Sequence, residues 1–415
     1  MNPEELRSHQ KIGPLLHELE ELGPDLILSD VIEERDGKRL QYVDLVMEGG
    51  GVLGVALVGY IYALETAGLR FLSIGGTSAG SIVALLLAAL AEKHEAKSAR
   101  LCEILFSMNI ADFIDGDSDA ADMSHYLGSG EWPQRWFKGA FKAAQVLDNL
   151  RDDYGLNPGK KFQDWLHAQL KAAGTATTDL LVKRIQKNPA GLQHRETGRS
   201  LKHLPCELKI VAADITTETK AVFPEMAPMY WRNTAALSPS YYVRASMSIP
   251  LFFHPLRARG IRRIPGVQAA WKERGRYRHT PPDEVLFADG GIMSNFPISL
   301  FHDYSKVPVA PTFGIKLGAT RQAHKTDGFL AYTMALLESM QHYADLDFLF
   351  RNPDYRALVG RIDTGNHNWL NFRMSGAQKL DLFYRGALAA RDFLKAFAWQ
   401  PYKKLRKNLI SATAG

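Results

Sequence analysis

One local pattern occurs twice between Tyr42 and His94, and that repetition restricts the fold more than any other feature of the chain. Tyr42-Val43-Asp44-Leu45-Val46-Met47 is an apolar run of strand character, Gly49-Gly50-Gly51 interrupts it, and the residues up to Gly68 carry helical apolar periodicity. Leu69 to Gly75 is strand-like again, Gly76-Thr77-Ser78-Ala79-Gly80 breaks it, and Ser81 to His94 reads as a second helix. Apolar strands alternating with helices specify an α/β fold whose parallel sheet is buried on both faces.

Further strands are expected at 206–214, 284–289 and 311–317, with helices over most of the remainder. The stretch 115–157, rich in Trp, Phe and Gly, reads as irregular helices and loops over one end of the sheet. At roughly 150 residues per domain, 415 residues would make two or three domains. The spacing of the motifs favours one catalytic domain over 42–374. A helical extension over 1–41 precedes it, with Leu15, Leu16, Leu19 and Leu22 at helical spacing and a polar linker behind them. An amphipathic helix and basic tail over 375–415 follow, built on Leu380, Phe383, Ala387, Ala390, Leu394 and Phe397.

Composition removes several classes of function. With 46% hydrophobic residues the chain has enough apolar material for a core, which excludes intrinsic disorder. A net charge of +5 is too small to argue for nucleic acid as a partner. Cys102 and Cys206 form no CxxC and have no histidines at zinc spacing, so neither a metal site nor a disulfide framework is indicated and a reducing, cytosolic setting is expected. The acidic N-terminus does not read as a secretory signal, and the longest apolar run, Ile82 to Ala91, is shorter than the roughly 20 residues that cross a bilayer.

The chemistry sits in the glycine turns. Gly76 to Gly80 fits Gly-x-Ser-x-Gly, the strand-to-helix elbow that pushes a serine hydroxyl outward, and it places Ser78 at a helix N-terminus where the macrodipole stabilises negative charge. Gly49 to Gly54 fits Gly-x-Gly-x-x-Gly, but the next strand ends in Ser73-Ile74-Gly75-Gly76, with no carboxylate for a ribose, and the loop lacks the Gly-Lys-Ser/Thr of a phosphate-binding loop. Gly49, Gly50 and Gly51 are then backbone donors for an oxyanion. A serine nucleophile needs a base, and Asp289-Gly290-Gly291 at a strand end supplies Asp289. A Ser-Asp-His triad is the competing scheme, with His302, His324, His342 and His367 downstream.

These blocks resemble the patatin-like phospholipases. The match includes the Gly49 to Gly54 loop, the Gly76 to Gly80 elbow, Ala245-Ser246-Met247-Ser248-Ile249-Pro250 with Phe253 and Pro255 beyond, and Asp289-Gly290-Gly291 with Asn295 and Pro297. Asp214-Ile215-Thr216-Thr217 resembles the family's Asp/Thr strand end, and the similarity spans 42–374. One departure is Leu53, where the family commonly has a cation. The resemblance implies a three-layer α/β/α fold with a mostly parallel central sheet and a Ser78-Asp289 dyad with no catalytic histidine, cofactor or metal. It further implies an oxyanion hole at Gly49, Gly50 and Gly51, and support from Gly54, Gly76, Gly80, Gly290, Gly291 and Asn295. The activity implied is hydrolysis of acyl esters in membrane glycerophospholipids, releasing fatty acid and lysophospholipid. A broad lipase or lysophospholipase remains open, as does a toxin or defence effector released by an activator, self-association or a small ligand.

Charge is distributed unevenly. Residues 1–40 hold ten acids against five bases, whereas Arg257 to Arg278 holds Arg257, Arg259, Arg262, Arg263, Lys272, Arg274, Arg276 and Arg278 against Glu273 alone. That strip, with Trp271 and Tyr277, reads as a contact for anionic headgroups and so for peripheral membrane attachment. Lys403, Lys404, Arg406 and Lys407 could add to it, or form a loose end.

Overall fold

The computed structural model describes residues 3–108, 110–116, 153–318, 326 and 329–414. Most of the 115–157 reading lies outside them. Twelve strands form: β1 (Val31–Arg35), β2 (Lys38–Met47), β3 (Leu69–Thr77), β4 (Gly155–Asn157), β5 (Gln193–His194), β6 (Leu208–Asp214), β7 (Thr219–Phe223), β8 (Leu251–Phe253), β9 (Leu256–Arg259), β10 (Glu284–Ala288), β11 (Thr312–Leu317) and β12 (Val359–Ile362). Ten make one sheet in the order β12-β11-β2-β3-β6-β10-β9, with β1, β5 and β7 attached beside that path, while β4 pairs with β8 alone.

The five strands from β12 to β6 are parallel; β1, β5, β7, β9 and β10 join antiparallel. The sheet is parallel at its centre and antiparallel on its flanks; β1-β2 and β6-β7 turn straight back through short connections, whereas β9 returns to β10 through a long one that carries the helix Pro265–Glu273. All five strands expected from the apolar runs are present. The helices are α1 (Pro3–Ser8), α2 (Ile12–Leu22), α3 (Gly54–Thr66), α4 (Ala79–Ala89) and α5 (Ser98–Ser107), followed by others that include Phe329–Arg351, Gly376–Ala396 and Trp399–Ala414. α4 packs on β2, β3 and β6, and α3 lies between the sheet and Gly376–Ala396. The latter helix starts at a capping box in which Ser375 and Gln378 exchange side-chain and backbone bonds. The fold is mixed α/β with helices on a central sheet.

Two expectations at the termini need correction. The linker within 1–41 is a hairpin: β1 pairs with β2 through a tight turn at Asp36 and Gly37, both left-handed, and Val31 and Ile32 are buried. The basic tail is a docked helix. Lys403 pairs with Asp30 at 2.8 Å and buried Arg406 with Asp354 at 2.7 Å, so neither is free for a membrane. Trp399 Nε1 donates to the same Asp30 at 2.8 Å, and side chains from both termini share the core under the sheet.

Candidate active site

Strand register brings Ser78 and Asp289 together. β3 runs along β6 until Thr77 faces Val211, and β10, running the other way, ends with Ala288 facing Ala213. The next residue of each strand arrives at the level of Ala212, and there Ser78 Oγ donates to Asp289 Oδ2 at 2.6 Å. Ser78 is 4% exposed and Asp289 3%. The elbow is sterically committed: Ser78 sits at φ 51°, a strained conformation for a residue with a side chain. A Cβ on Gly76 would lie 2.5 Å from the Gly80 carbonyl, and one on Gly80 would lie 2.5 Å from that of Met47.

Ser246 and Ser248, in a block matched without an assigned role, fix both partners. Ser246 Oγ accepts the Ser78 N–H at 2.8 Å and donates to the Val211 carbonyl at 2.6 Å. The Ser248 carbonyl accepts the Asp289 N–H at 2.8 Å. Arg244, buried and absent from the sequence reading, braces this segment by donating to Ser248 Oγ at 2.8 Å and to the carbonyls of Pro158 and His254, each at 2.7 Å. Burial lowers its pKa to about 10, so it stays a cation at neutral pH.

Burial also raises Asp289 to about 6, against the opposing pull of the Ser78 hydroxyl and of the Gly291 N–H, which donates to Oδ1 at 2.8 Å. Gly290 packs against the Val211 carbonyl, where a Cβ would come within 2.2 Å. The carboxylate is therefore near the range in which it can both take and return a proton.

The oxyanion assignment changes at one position. Gly49 donates its N–H to the Asn295 carbonyl at 3.1 Å, so it is not a free donor. A Cβ there would sit 3.0 Å from the Ser78 Cβ and 2.4 Å from Asn295 Oδ1, so what position 49 needs is the absence of a side chain. The N–H groups of Gly50 and Gly51 have no acceptor among the described residues, and both stand at the N-terminal end of the turn that leads into α3. Gly54 begins α3 and borders the adjoining pocket.

A buried charged cluster lies behind this loop. Glu48 pairs with Lys316 and accepts the Leu317 N–H and, at 3.4 Å, Asn295 Nδ2; Lys316 Nζ is also 4.0 Å from Asp345. Burial raises Glu48, and raises Asp345 to about 7. In front, an apolar pocket opens beside Ser78, walled by Val52, Ile82, Phe113, Met247, Phe253 and Phe372 among others, with Met247 Sδ 3.4 Å from Ser78 Oγ.

The histidines take no part in this arrangement so far as they are described. The His302 side chain is buried, its ring tilted against Tyr355 with centroids 4.4 Å apart and its pKa lowered to about 4 by desolvation, and His367 Nε2 bonds Asp381 at 2.9 Å. His324 and the His342 side chain lie outside the described residues. Asp214 closes the β6-β7 turn, accepting the N–H groups of Thr216 and Thr217. Among the described residues no His/Cys/Asp/Glu cluster could hold a metal.

The basic strip is less free than its sequence implies. Arg257 and Arg259 pair with Glu284, Arg263 with Asp283 and Arg274 with Glu225; Trp271 is fully buried and belongs to the core, where its ring packs on Tyr230. The charges that follow the strip in sequence, at 283 and 284, neutralise part of it. No helix among the described residues is long and apolar enough to cross a membrane.

A family model for patatin-like phospholipases matches residues 45–302, which include the elbow, the glycine loop and Asp289. The chain belongs to the patatin-like phospholipase family, a family of lipid-acyl hydrolases. It is 24% identical over 363 residues to the uncharacterized protein YqhO of Bacillus subtilis (strain 168), which covers 86% of this chain and 100% of YqhO. Among solved structures it is similar to VipD from Legionella pneumophila, with a TM-score of 0.43 and 17% identity over 89% of this chain and 70% of VipD. It is also similar to ExoU of Pseudomonas aeruginosa, solved as a heterodimer with SpcU, with a TM-score of 0.33 and 14% identity over 85% of this chain. The match spans 51% of that solved chain.

Proposed function

We propose that the protein hydrolyses acyl esters of membrane glycerophospholipids through Ser78 and Asp289, on a three-layer α/β/α scaffold. The observation that carries this reading is the 2.6 Å bond from Ser78 Oγ to Asp289 Oδ2 beside an apolar pocket. Asp289 takes the hydroxyl proton as Oγ attacks the ester carbonyl carbon. The Gly50 and Gly51 N–H groups hold the charge on the carbonyl oxygen, each such donor being worth about 3 to 4 kcal/mol. The tetrahedral intermediate collapses, the lysophospholipid alkoxide leaves with the proton from Asp289, and the acyl chain remains on Ser78. Water, deprotonated by the same carboxylate, releases the fatty acid. An alkoxide is expelled more readily than an amine, which favours esters over peptides.

The test is the purified protein on defined diacyl phospholipids with products resolved by mass. Fatty acid and lysophospholipid in equal amounts are expected. Accumulation of glycerophosphodiester with no lysophospholipid, or turnover of lysophospholipid alone, would move the assignment to a lysophospholipase.

The basic strip supports a docking role. β10 descends from Glu284 to Asp289, so Arg259, opposite Glu284, lies on the side of the sheet toward which Ser78 points, about 16 Å further along at ~3.3 Å per residue. Arg262, Lys272, Arg276 and Arg278 have no carboxylate partner among the described residues. Reversing these four should weaken binding to anionic vesicles by at least ~100-fold at low salt; unchanged binding would refute the docking role.

A further inference from the structure

We propose that the helix Phe329–Arg351 is the element that enters the lipid surface, an inference that rests on the reading of a lipid hydrolase given above. Eleven large apolar side chains among the described residues are exposed, and five of them, Tyr332, Leu336, Met340, Tyr343 and Phe350, belong to this one helix. At 3.6 residues per turn the five fall within about 80° of arc. Asp345 and Leu349, on the far side, and Ala335, on the flank, are buried, whereas Tyr343 is 70% and Phe350 80% exposed. One ion pair, Asp347 with Arg351 at 2.9 Å, interrupts the stripe. Contiguous apolar strips of this kind mark an interaction surface.

Position identifies the occupant. Gln341 Nε2 lies against Gly291, where a Cβ would come within 2.7 Å of it. Glu338 Oε1 accepts Trp369 Nε1–H at 2.6 Å, and the Trp369 carbonyl accepts the Val52 N–H at 3.0 Å. The helix is thus the rim joining the Asp289-Gly291 turn to the glycine loop. Ser78 is nearly enclosed and its pocket is apolar, so a bilayer lipid must pass from the membrane into the pocket without crossing water, and the rim of that pocket has to touch the bilayer. The stripe's composition suits this. Tyr332 and Tyr343 are amphipathic rings that favour the headgroup level, and Leu336, Met340 and Phe350 carry no group that resists the acyl region.

The experiment uses the full chain with Ser78→Ala, so that binding does not depend on turnover, and vesicles of phosphatidylcholine at high ionic strength, which suppresses the contribution of the arginines. Adding Leu336→Glu and Met340→Glu should weaken co-sedimentation by about 100-fold, from two apolar side chains no longer buried; equal co-sedimentation overturns the proposal. A second measurement covers misfolding of that variant. Met340→Cys carrying an environment-sensitive fluorophore labels selectively, because Cys102 and Cys206 are buried. Its emission should shift to the blue on vesicles and be quenched by acyl-brominated lipid; unchanged emission while the protein sediments with the vesicles overturns the proposal. So does a dimer in solution that the double glutamate variant dissolves, which would assign the stripe to a second copy. If the helix inserts and wild-type protein hydrolyses no lipid, the inference stands and the proposed activity fails.

Discussion

Asp289→Asn is expected to abolish ester turnover, by roughly 10⁴-fold as for other members of catalytic serine constellations, and at the same time to make the protein more stable at neutral pH. The first effect follows from the loss of the base that Ser78 Oγ touches at 2.6 Å. The second follows from burial, which raises the Asp289 pKa to about 6 from its ordinary 3.8. Between those values the folded protein holds a proton that the unfolded chain has released, so this group's contribution to stability falls as pH rises through that window and is fully lost above about 6. Two units correspond to about 3 kcal/mol at neutral pH. An asparagine carries no such cost, so its advantage in thermal unfolding should be present near pH 8 and absent near pH 4. Wild-type kcat/KM on a soluble short-chain ester should rise through about pH 6 to a plateau, as the base ionises. Ser78→Ala should lose turnover to the same degree. If Asp289→Asn retains substantial activity, or a histidine substitution is as damaging as Ser78→Ala, the dyad reading fails.

How far the sequence disclosed this site depended on the range of the contacts. The elbow was legible because its chemistry is local: five consecutive residues between an apolar strand and an apolar helix can form little else. Asp289 was legible through its two glycines. The roles of Ser246 and Ser248 were not, because they are defined by bonds to Ser78 and Asp289 across more than 40 residues of sequence, although the block that holds them carries part of the family resemblance. A run of three glycines does not say which N–H the fold will consume, and the Asn295 carbonyl takes that of Gly49. The hairpin of β1 with β2 hides in the sequence although Asp36-Gly37 is a strong turn signal, since the surrounding charges read as a linker. The basic neighbours of Trp271 suggest an interface, yet the helix Pro265–Glu273 turns its ring inward. The stripe on Phe329–Arg351 could not be separated from the core by pattern, because apolar residues occupy both sides of that helix.

Lys316→Met is expected to destabilise the fold by about 3 to 5 kcal/mol, more than its volume change would suggest, because Lys316 is the cation between two buried carboxylates. Glu48 pairs with it directly, and Asp345 Oδ2 is 4.0 Å from its Nζ with no hydrogen-bond partner of its own. Without the ammonium, both acids either stay charged in an apolar setting or bind protons, so the variant should regain stability as pH falls, the opposite of ordinary acid denaturation. The loss should also reach the active site. Glu48 directly precedes Gly49, and its carboxylate is tied to the Leu317 N–H and to Asn295, which also accepts the Gly49 N–H. A Glu48 that neutralises or turns away loosens the loop that presents Gly50 and Gly51, lowering kcat on a soluble ester more than it changes KM. A double-mutant cycle separates this from a simple packing defect. Glu48→Gln together with Lys316→Met removes one charge of each sign and should recover part of the stability, giving a coupling of about 1 to 3 kcal/mol between the two sites in chemical unfolding. Additive losses would mean that the pair is bystander packing and that the loop is held by its backbone bonds alone.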